Sequence, residues 1–287
     1  MSQPIIILGA DGLLGGALLE SFTTQSTTVI GWDKANVDVT NNAELIAKIS
    51  PLKPQVIINA TAYNSVDRAE QDAIAFALAK SINETAVGNL AKLSNSLGCP
   101  LVHFSTDYVF DGTNKNGYTE EMAPSPQNKY GQTKAGGEAL LQRYTEQFYL
   151  VRLSRMFGRP GKSPGAKKSF VDIMIDAAAA NPEKEIRLVD EEVSCPTYST
   201  DLARFVFQLL KNKKPFGIYH GANSGTSTWY SLATEIFRLK QLPIKLIPIS
   251  NSEYQRPAKR PMFSQLINTK TTPQRLWSEA LREYLQV

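Results

Sequence analysis

Short continuous apolar runs alternate along this chain with longer stretches in which apolar residues recur at helical spacing. The first run, residues 5–8 of "MSQPIIILGADG", predicts a strand buried on both faces, as in a parallel sheet. "DGLLGGALLESF" then has the spacing of a helix. Residues 28–32 predict a second strand, residues 44–50 a helix, and "PQVIINATA" a third strand ending near Asn59. Residues 73–97 form a long amphipathic pattern. "CPLVHFST" predicts a fourth strand ending at Ser105, followed by a long loop, a helix around Tyr130 and a strand at 149–153. Regular alternation of strand and helix predicts an α/β fold built on a doubly wound, parallel, Rossmann-like sheet.

After Ser154 the texture changes. "GRPGKSPGAKKS" is a Gly/Pro/Lys-rich loop. Helices are expected at 170–180, 200–210, 228–240 and 274–285, with short strands at 185–189 and 244–247. The expected division is a dinucleotide-binding part over residues 1–154 and a smaller substrate-binding lobe over 155–287, with some segments returning to the sheet.

Composition narrows the function classes. The 287 residues are 42% hydrophobic and 20% charged, ordinary for a globular chain with a sizeable core. A net charge of +4 is too small to argue for nucleic acid and suits an anionic small molecule. The two cysteines, Cys99 and Cys195, have no paired spacing, so neither a disulfide framework nor a metal site is expected. No signal-peptide pattern and no membrane-length apolar run is visible. The expectation is a cytoplasmic protein without membrane or nucleic-acid partners.

Three constellations carry chemistry. Gly9, Gly12 and Gly15 in "GADGLLG" follow a strand and open a helix, where glycines let the backbone approach a pyrophosphate and the helix N-terminus offers free N–H groups. Asp33 ends the next strand, where a carboxylate accepts from a ribose 2′-OH. It favours NAD, and Lys34 beside it leaves NADP open. Asp38 follows, within reach of an adenine amino group or simply solvated in its loop. The third is Tyr130 with Lys134, the one Tyr-x-x-x-Lys among the eleven tyrosines, sharing a helix face. A Ser-Thr pair, Ser105 and Thr106, closes the preceding strand on the side where such sheets bind ligands.

Hydride delivered to a ketone leaves an alkoxide that needs a proton. A free tyrosine, with pKa ~10, holds its proton too tightly near neutrality. An adjacent Lys134 ammonium is expected to lower it, while Thr106 polarises the carbonyl. His103 and His220 read as packed or hydrogen-bonded histidines rather than a metal pair. Trp229 and Tyr230 fit a substrate contact or a helix start equally well.

With these residues in place, the chain resembles the extended short-chain dehydrogenase/reductases, and within them the dTDP-4-dehydrorhamnose reductase family. The resemblance rests on "GADGLLG", "NATAYNSVDRAE", "FSTDYVFDG", "PSPQNKYGQTKAGGE", "VRLSRMFG", "CPTYSTDLA", "GIYHGANSGTSTWYSLA" and "RPMFSQLINT", which together span most of the chain. It implies NADPH or NADH as cofactor, a nucleotide-sugar substrate, and a monomer or homodimer. Gly12, Leu13 and Leu14 would face the pyrophosphate. Asp33, Asp38 and Val39 would bind the adenosine half. Ala62, Tyr63, Asn64 and Phe104 would line the cofactor, and Lys134 would also hold its ribose. Thr106 and Asp107 would contact the sugar, Tyr130 and Lys134 would form the proton donor and its partner, and Arg260 would lie near the nucleotide end. The family's sugar-packing tryptophan is replaced here by Arg155, and its Asp-Gln-x-Gly before "PT" reads "EEVSCPT".

Two other readings stand beside this one. An epimerase or dehydratase on another sugar nucleotide is disfavoured in its dehydratase form, because Asp107 and Tyr108 stand where an Asp-Glu pair is expected. A relative of the family is a non-catalytic regulatory subunit of methionine adenosyltransferase. The intact Thr106, Tyr130 and Lys134 argue against that role.

Overall fold

In the computed structural model, which describes residues 3–24, 28–162, 167–180 and 185–287, the apolar runs become the strands of one sheet. β1 (Ile5–Leu8), β2 (Val29–Trp32), β3 (Val56–Asn59), β4 (Leu101–Thr106), β5 (Phe148–Leu153) and β9 (Gly217–His220) lie in the order β2-β1-β3-β4-β5-β9, every pair parallel. β1 pairs with both β2 and β3, so the direction of winding reverses there. That switch point is where such sheets open a ligand crevice beyond the strand C-termini.

Both faces of the sheet are covered, which is why the strands read as unbroken hydrophobic runs. Ile5 and Ile7 point into a core with Leu14, Leu18 and Phe22 of α1 (Leu13–Thr23) and Leu202, Val206 and Leu209 of α8 (Ser199–Lys211). Ile6 and Leu8 point the other way, against Leu45 and Ile49 of α2 (Asn42–Ile49), Leu90 of α5 (Ala86–Leu97) and Leu141 of α6 (Lys129–Tyr144). This is the two-residue period of a strand read out on two cores. Each such side chain contributes about 1.5–3 kcal/mol relative to exposure.

The long amphipathic segment is helical from 73 to 97 but not uniform. α4 (Ala73–Lys80) joins α5 through a π-helical turn, Ser81–Thr85. Buried Asn83 in that turn grips Tyr63 by both its backbone N–H and C=O, and donates to Thr133 of α6. A short helix, α3 (Val66–Gln71), precedes α4.

The lobe has its own core of Phe157, Val171, Leu232, Ile236 and Leu281, drawn from α7 (Phe170–Ala180), α9 (Trp229–Lys240) and α10 (Trp277–Leu285) around the pair β7 (Ile186–Val189) and β10 (Leu246–Ile249). β6 (Met156–Phe157) and β8 (Thr197–Tyr198) form a two-stranded parallel join. The sixth main strand, β9, comes from the C-terminal half, so the chain re-enters the sheet after building part of the lobe. β10 starts two residues later than expected. α10 starts at Trp277 rather than 274, because the preceding chain runs extended, with Leu276 bridged to Ser224. The basic loop after Gly158 lies partly outside the described residues.

Candidate active site

A cavity of about 860 Å³ opens beyond the C-terminal ends of β1, β3 and β4, against the lobe. Its floor is the glycine-rich turn. Gly9 sits at φ +77°, a left-handed conformation open to glycine at no steric cost. Gly12 caps α1 and has no side chain to satisfy the first-turn N–H groups. Those groups, and the positive end of the helix, are left for an anion. Gly12, Leu13 and Leu14 line the cavity. Gly15 does not: it faces the turn itself, and a Cβ there would overlap the Gly9 carbonyl oxygen. Its role is to let α1 close onto the turn. A backbone cradle with no room for side chains fits a dinucleotide diphosphate.

Asp33, Lys34, Asp38 and Val39 form the end of the cavity beside β2. Asp38 is also committed locally. Its Oδ1 accepts from the Thr40 N–H at 2.9 Å and hydroxyl at 2.7 Å, and these bonds hold its carboxyl below the usual carboxylate range. Ala62, Asn64 and Phe104 line the middle. Tyr63 is not among the lining residues, and its backbone N–H and C=O are both taken up by Asn83. Thr61, not singled out in the sequence, lies on the wall instead.

Thr106, Asp107, Tyr130 and Lys134 meet on one wall. Asn128 caps α6 by accepting from the Gly131 N–H at 2.7 Å, fixing the first turn that carries Tyr130. One turn on, Lys134 is 2% exposed, and its Nζ donates to the Phe104 carbonyl at 2.6 Å. Burial pulls the ammonium down to about 8, with Glu138 opposing. Tyr130 is half-buried with its open side on the cavity. Burial pushes its phenol up, the Asp107 carboxylate adds to that, and the Thr106 hydroxyl works the other way. The sequence-based expectation that Lys134 depresses the phenol is therefore corrected for this state: the desolvating wall dominates, and Tyr130 holds its proton. Thr106 gives its one hydroxyl hydrogen to Asp107 Oδ1 at 3.0 Å and accepts from the Tyr108 N–H at 3.2 Å. The other Asp107 oxygen accepts from Ser154 at 2.8 Å and Ser264 at 2.6 Å. Burial pushes the Asp107 carboxyl up, against these hydroxyls.

The lobe wall holds Arg155, Lys167, Lys168, Phe170 and Trp229. Arg155 has φ +39°, a strained value for a non-glycine residue. Its guanidinium lies 4.1 Å from the Trp229 ring centre and donates to the Ser227 carbonyl at 2.9 Å and the Glu192 carbonyl at 2.6 Å. The Glu192 carboxylate accepts from the Trp229 indole N–H at 2.9 Å and pairs with Arg256. Glu192, the second glutamate of "EEVSCPT", thus braces this wall, a role with no local sequence signal. Arg260 is not on the cavity. It makes a bidentate pair with Asp67 at 2.7 and 2.8 Å, a partner nearly two hundred residues away in sequence.

Lys34, Lys134, Arg155, Lys167 and Lys168 outnumber the lining carboxylates Asp33, Asp38 and Asp107, which suits an anionic ligand. Among the described residues no group of three or more His, Cys, Asp or Glu is placed to hold a metal ion, and no helix is long and apolar enough to cross a membrane.

Comparison with known proteins converges on the same architecture. The chain is 32% identical to the spore coat polysaccharide biosynthesis protein SpsK of Bacillus subtilis, covering 98% of this chain and 96% of that one. It is 32% identical to a dTDP-4-dehydrorhamnose reductase of Streptomyces griseus, over 97% of this chain and 91% of the relative. Its structure is similar to that of the dTDP-4-dehydrorhamnose reductase of Bacillus anthracis in complex with NADP, with TM-score 0.93, 30% identity, and 100% and 99% of the two chains covered. The family model described as the RmlD substrate binding domain matches residues 3–287, and this chain belongs to that family.

Proposed function

We propose that this chain is an NAD(P)H-dependent oxidoreductase that reduces the 4-keto group of a nucleotide-linked 6-deoxy sugar, with dTDP-4-dehydro-L-rhamnose as substrate and dTDP-L-rhamnose as product. The observation that carries the reading is the meeting, in one cavity, of the glycine cradle and a protonated Tyr130 beside Thr106. A bound reduced nicotinamide supplies hydride to the carbonyl carbon. The oxygen left behind becomes an alkoxide, and the Tyr130 phenol gives it a proton. A high phenol affinity for protons in the resting site keeps the donor loaded until the alkoxide, a stronger base, forms.

Thr106 orients the carbonyl oxygen. To donate to it, the hydroxyl must release Asp107, so carbonyl binding and that exchange are coupled. Lys134 holds the cofactor ribose and stabilises the phenolate once the proton has left. Gly12, Leu13 and Leu14 hold the diphosphate, and Asp33, Asp38 and Val39 the adenosine end. Residues 1–154 mainly serve the cofactor and residues 155–287 mainly the sugar. Arg260, released from Asp67, would reach toward the substrate nucleotide. We place the reaction in the cytoplasm, on a soluble nucleotide sugar.

The test is nicotinamide absorbance with dTDP-4-dehydro-L-rhamnose, NADH and NADPH run in parallel. Wild type should oxidise cofactor only when the keto sugar is present. Tyr130→Phe should lose roughly 10²–10⁴-fold in kcat while binding cofactor normally. Cofactor binding without keto-sugar-dependent oxidation would overturn the assignment.

A further inference from the structure

His103 and Asn59 lie beneath the cavity wall, both fully buried, and neither is used by the reaction described above. They form a closed chain of polar contacts. Thr61, on the wall, donates to Asn59 Oδ1 from its backbone N–H at 3.1 Å and its hydroxyl at 2.6 Å. Asn59 Nδ2 meets His103 Nδ1 at 3.2 Å. His103 Nε2 lies 3.5 Å from Lys134 Nζ, which returns the chain to the cavity.

The donors fix the protons. A backbone N–H can only donate, so the Asn59 atom facing Thr61 is its oxygen and the atom facing His103 is its NH₂. His103 Nδ1 must then accept. The neutral imidazole keeps its hydrogen on Nε2, pointing at the lysine amine. At 3.5 Å this is a dipole set against the amine more than a strong hydrogen bond. It favours a lone pair on Nζ and opposes a third ammonium hydrogen.

We propose that His103 is a positioning residue for Lys134, that Asn59 sets its Nε2–H tautomer, and that the pair makes cofactor binding proton-linked at Lys134. This rests on the reading of Lys134 as the residue that holds the cofactor. The other groups around the amine fit the same conclusion. Tyr130, on the same helix, holds its proton and brings no charge. Glu138, also on α6, is the one carboxylate that favours the ammonium, and Arg152 of β5 engages both its oxygens. Asn59 from β3 is neutral, and β4 offers only the Phe104 carbonyl and His103. Burial and the Lys134 charge hold the His103 imidazole well below its ordinary range, so it stays neutral. A dianionic diphosphate bound in the same cavity would raise the affinity of Lys134 for a proton. The sign follows: cofactor binding is full while Lys134 is protonated in the free protein, and weakens as pH rises through its free value of about 8.

The chain has two histidines, so ¹⁵N-histidine NMR on the intact protein reads both tautomers. His220 Nδ1 faces the Ile267 carbonyl at 3.0 Å and should carry its hydrogen there. His103 should give the opposite, Nε2–H pattern, identified by its loss in His103→Gln. NADPH titrations followed by fluorescence, from pH 6 to 10, should show constant affinity up to about pH 8, then a fall of roughly tenfold per unit. His103→Leu and His103→Gln should move that break upward by roughly half a unit or more. An Nδ1–H tautomer at His103, or an unmoved break in a folded variant, overturns the inference. If neither variant folds, the native chain decides: one histidine of each tautomer supports the inference, and two Nδ1–H histidines overturn it. Lys134→Met separates the two levels: persistence of the break there sinks the role of Lys134 itself, whereas its loss there with no effect at His103 sinks only the histidine's.

Discussion

The Arg155 guanidinium stacks 4.1 Å from the centre of the Trp229 ring, so the lobe side of the cavity has an aromatic wall although an arginine stands where the family resemblance implies a tryptophan. The aromatic side chain is supplied from the first turn of α9. We expect Trp229→Ala and Arg155→Ala each to raise KM for the nucleotide sugar about tenfold, with a coupling between them of about 0.5–2 kcal/mol in a double-mutant cycle. NADPH affinity should not change. Equal losses in cofactor and sugar binding would show that the stack supports the fold and does not contact the sugar.

Gly15 and Gly16 are neighbours with opposite expectations. A Cβ on Gly15 overlaps the Gly9 carbonyl, whereas one on exposed Gly16 meets nothing nearer than the Ala10 oxygen at 3.9 Å. Gly15→Ala should lose cofactor binding and several kcal/mol of stability through displacement of α1. Gly16→Ala should gain about 0.5–1 kcal/mol by removing glycine's entropy from a helix. Chemical denaturation of both variants checks this, and a tolerated Gly15→Ala would contradict the close packing described.

These two cases also show what the sequence could convey. The glycine turn, the Tyr130–Lys134 face and the strands β1, β3 and β4 were legible because each is a local pattern: a spacing, or a run of buried residues. Trp229 was evenly balanced between substrate contact and helix start; it opens α9 and also lines the cavity. What stayed hidden depends on distant partners. β9 is a short edge strand, Gly-Ile-Tyr-His, whose place in the sheet comes from pairing with β5. Arg260 carries no mark of its pairing with Asp67, and Glu192 none of its three partners across the lobe. The resting state of Tyr130 was misjudged for the same reason: helical spacing places Lys134 on its face, but burial, a property of the whole wall, sets the phenol's proton affinity.

Glu138 and Arg152 form a bidentate pair, Nε–Oε1 3.0 Å and Nη2–Oε2 2.7 Å, with both side chains 1% exposed. Removing one partner leaves an uncompensated buried charge. Glu138→Ala should therefore cost about 3–5 kcal/mol in urea denaturation at pH 7. Replacing both, as Glu138→Leu with Arg152→Met, should recover most of that. A double variant no better than the single one would mean that the pair's own energy, and not the orphaned charge, sets the cost.

Asp107 offers a pH test of the catalytic wall. It is 2% exposed, and burial raises its folded-state pKa despite donations from Thr106, Ser154 and Ser264. A raised carboxylate favours the folded state when protonated, so its contribution is fully present below the unfolded pKa and is lost as pH rises through the folded value. At pH 7 the buried charge is therefore a liability. Asp107→Asn keeps the shape and accepts from two of the three hydroxyls. It should raise stability at pH 7, and the gain should shrink steadily as pH falls toward 4. Activity should move the opposite way, because the amide NH2 then faces Thr106, cannot accept its hydroxyl hydrogen, and leaves the direction of that hydroxyl unset before the carbonyl arrives. Melting temperatures of both proteins between pH 4 and 8, read beside kcat, check the two signs together. A variant less stable at every pH would show that the hydroxyls outweigh the burial of the charge.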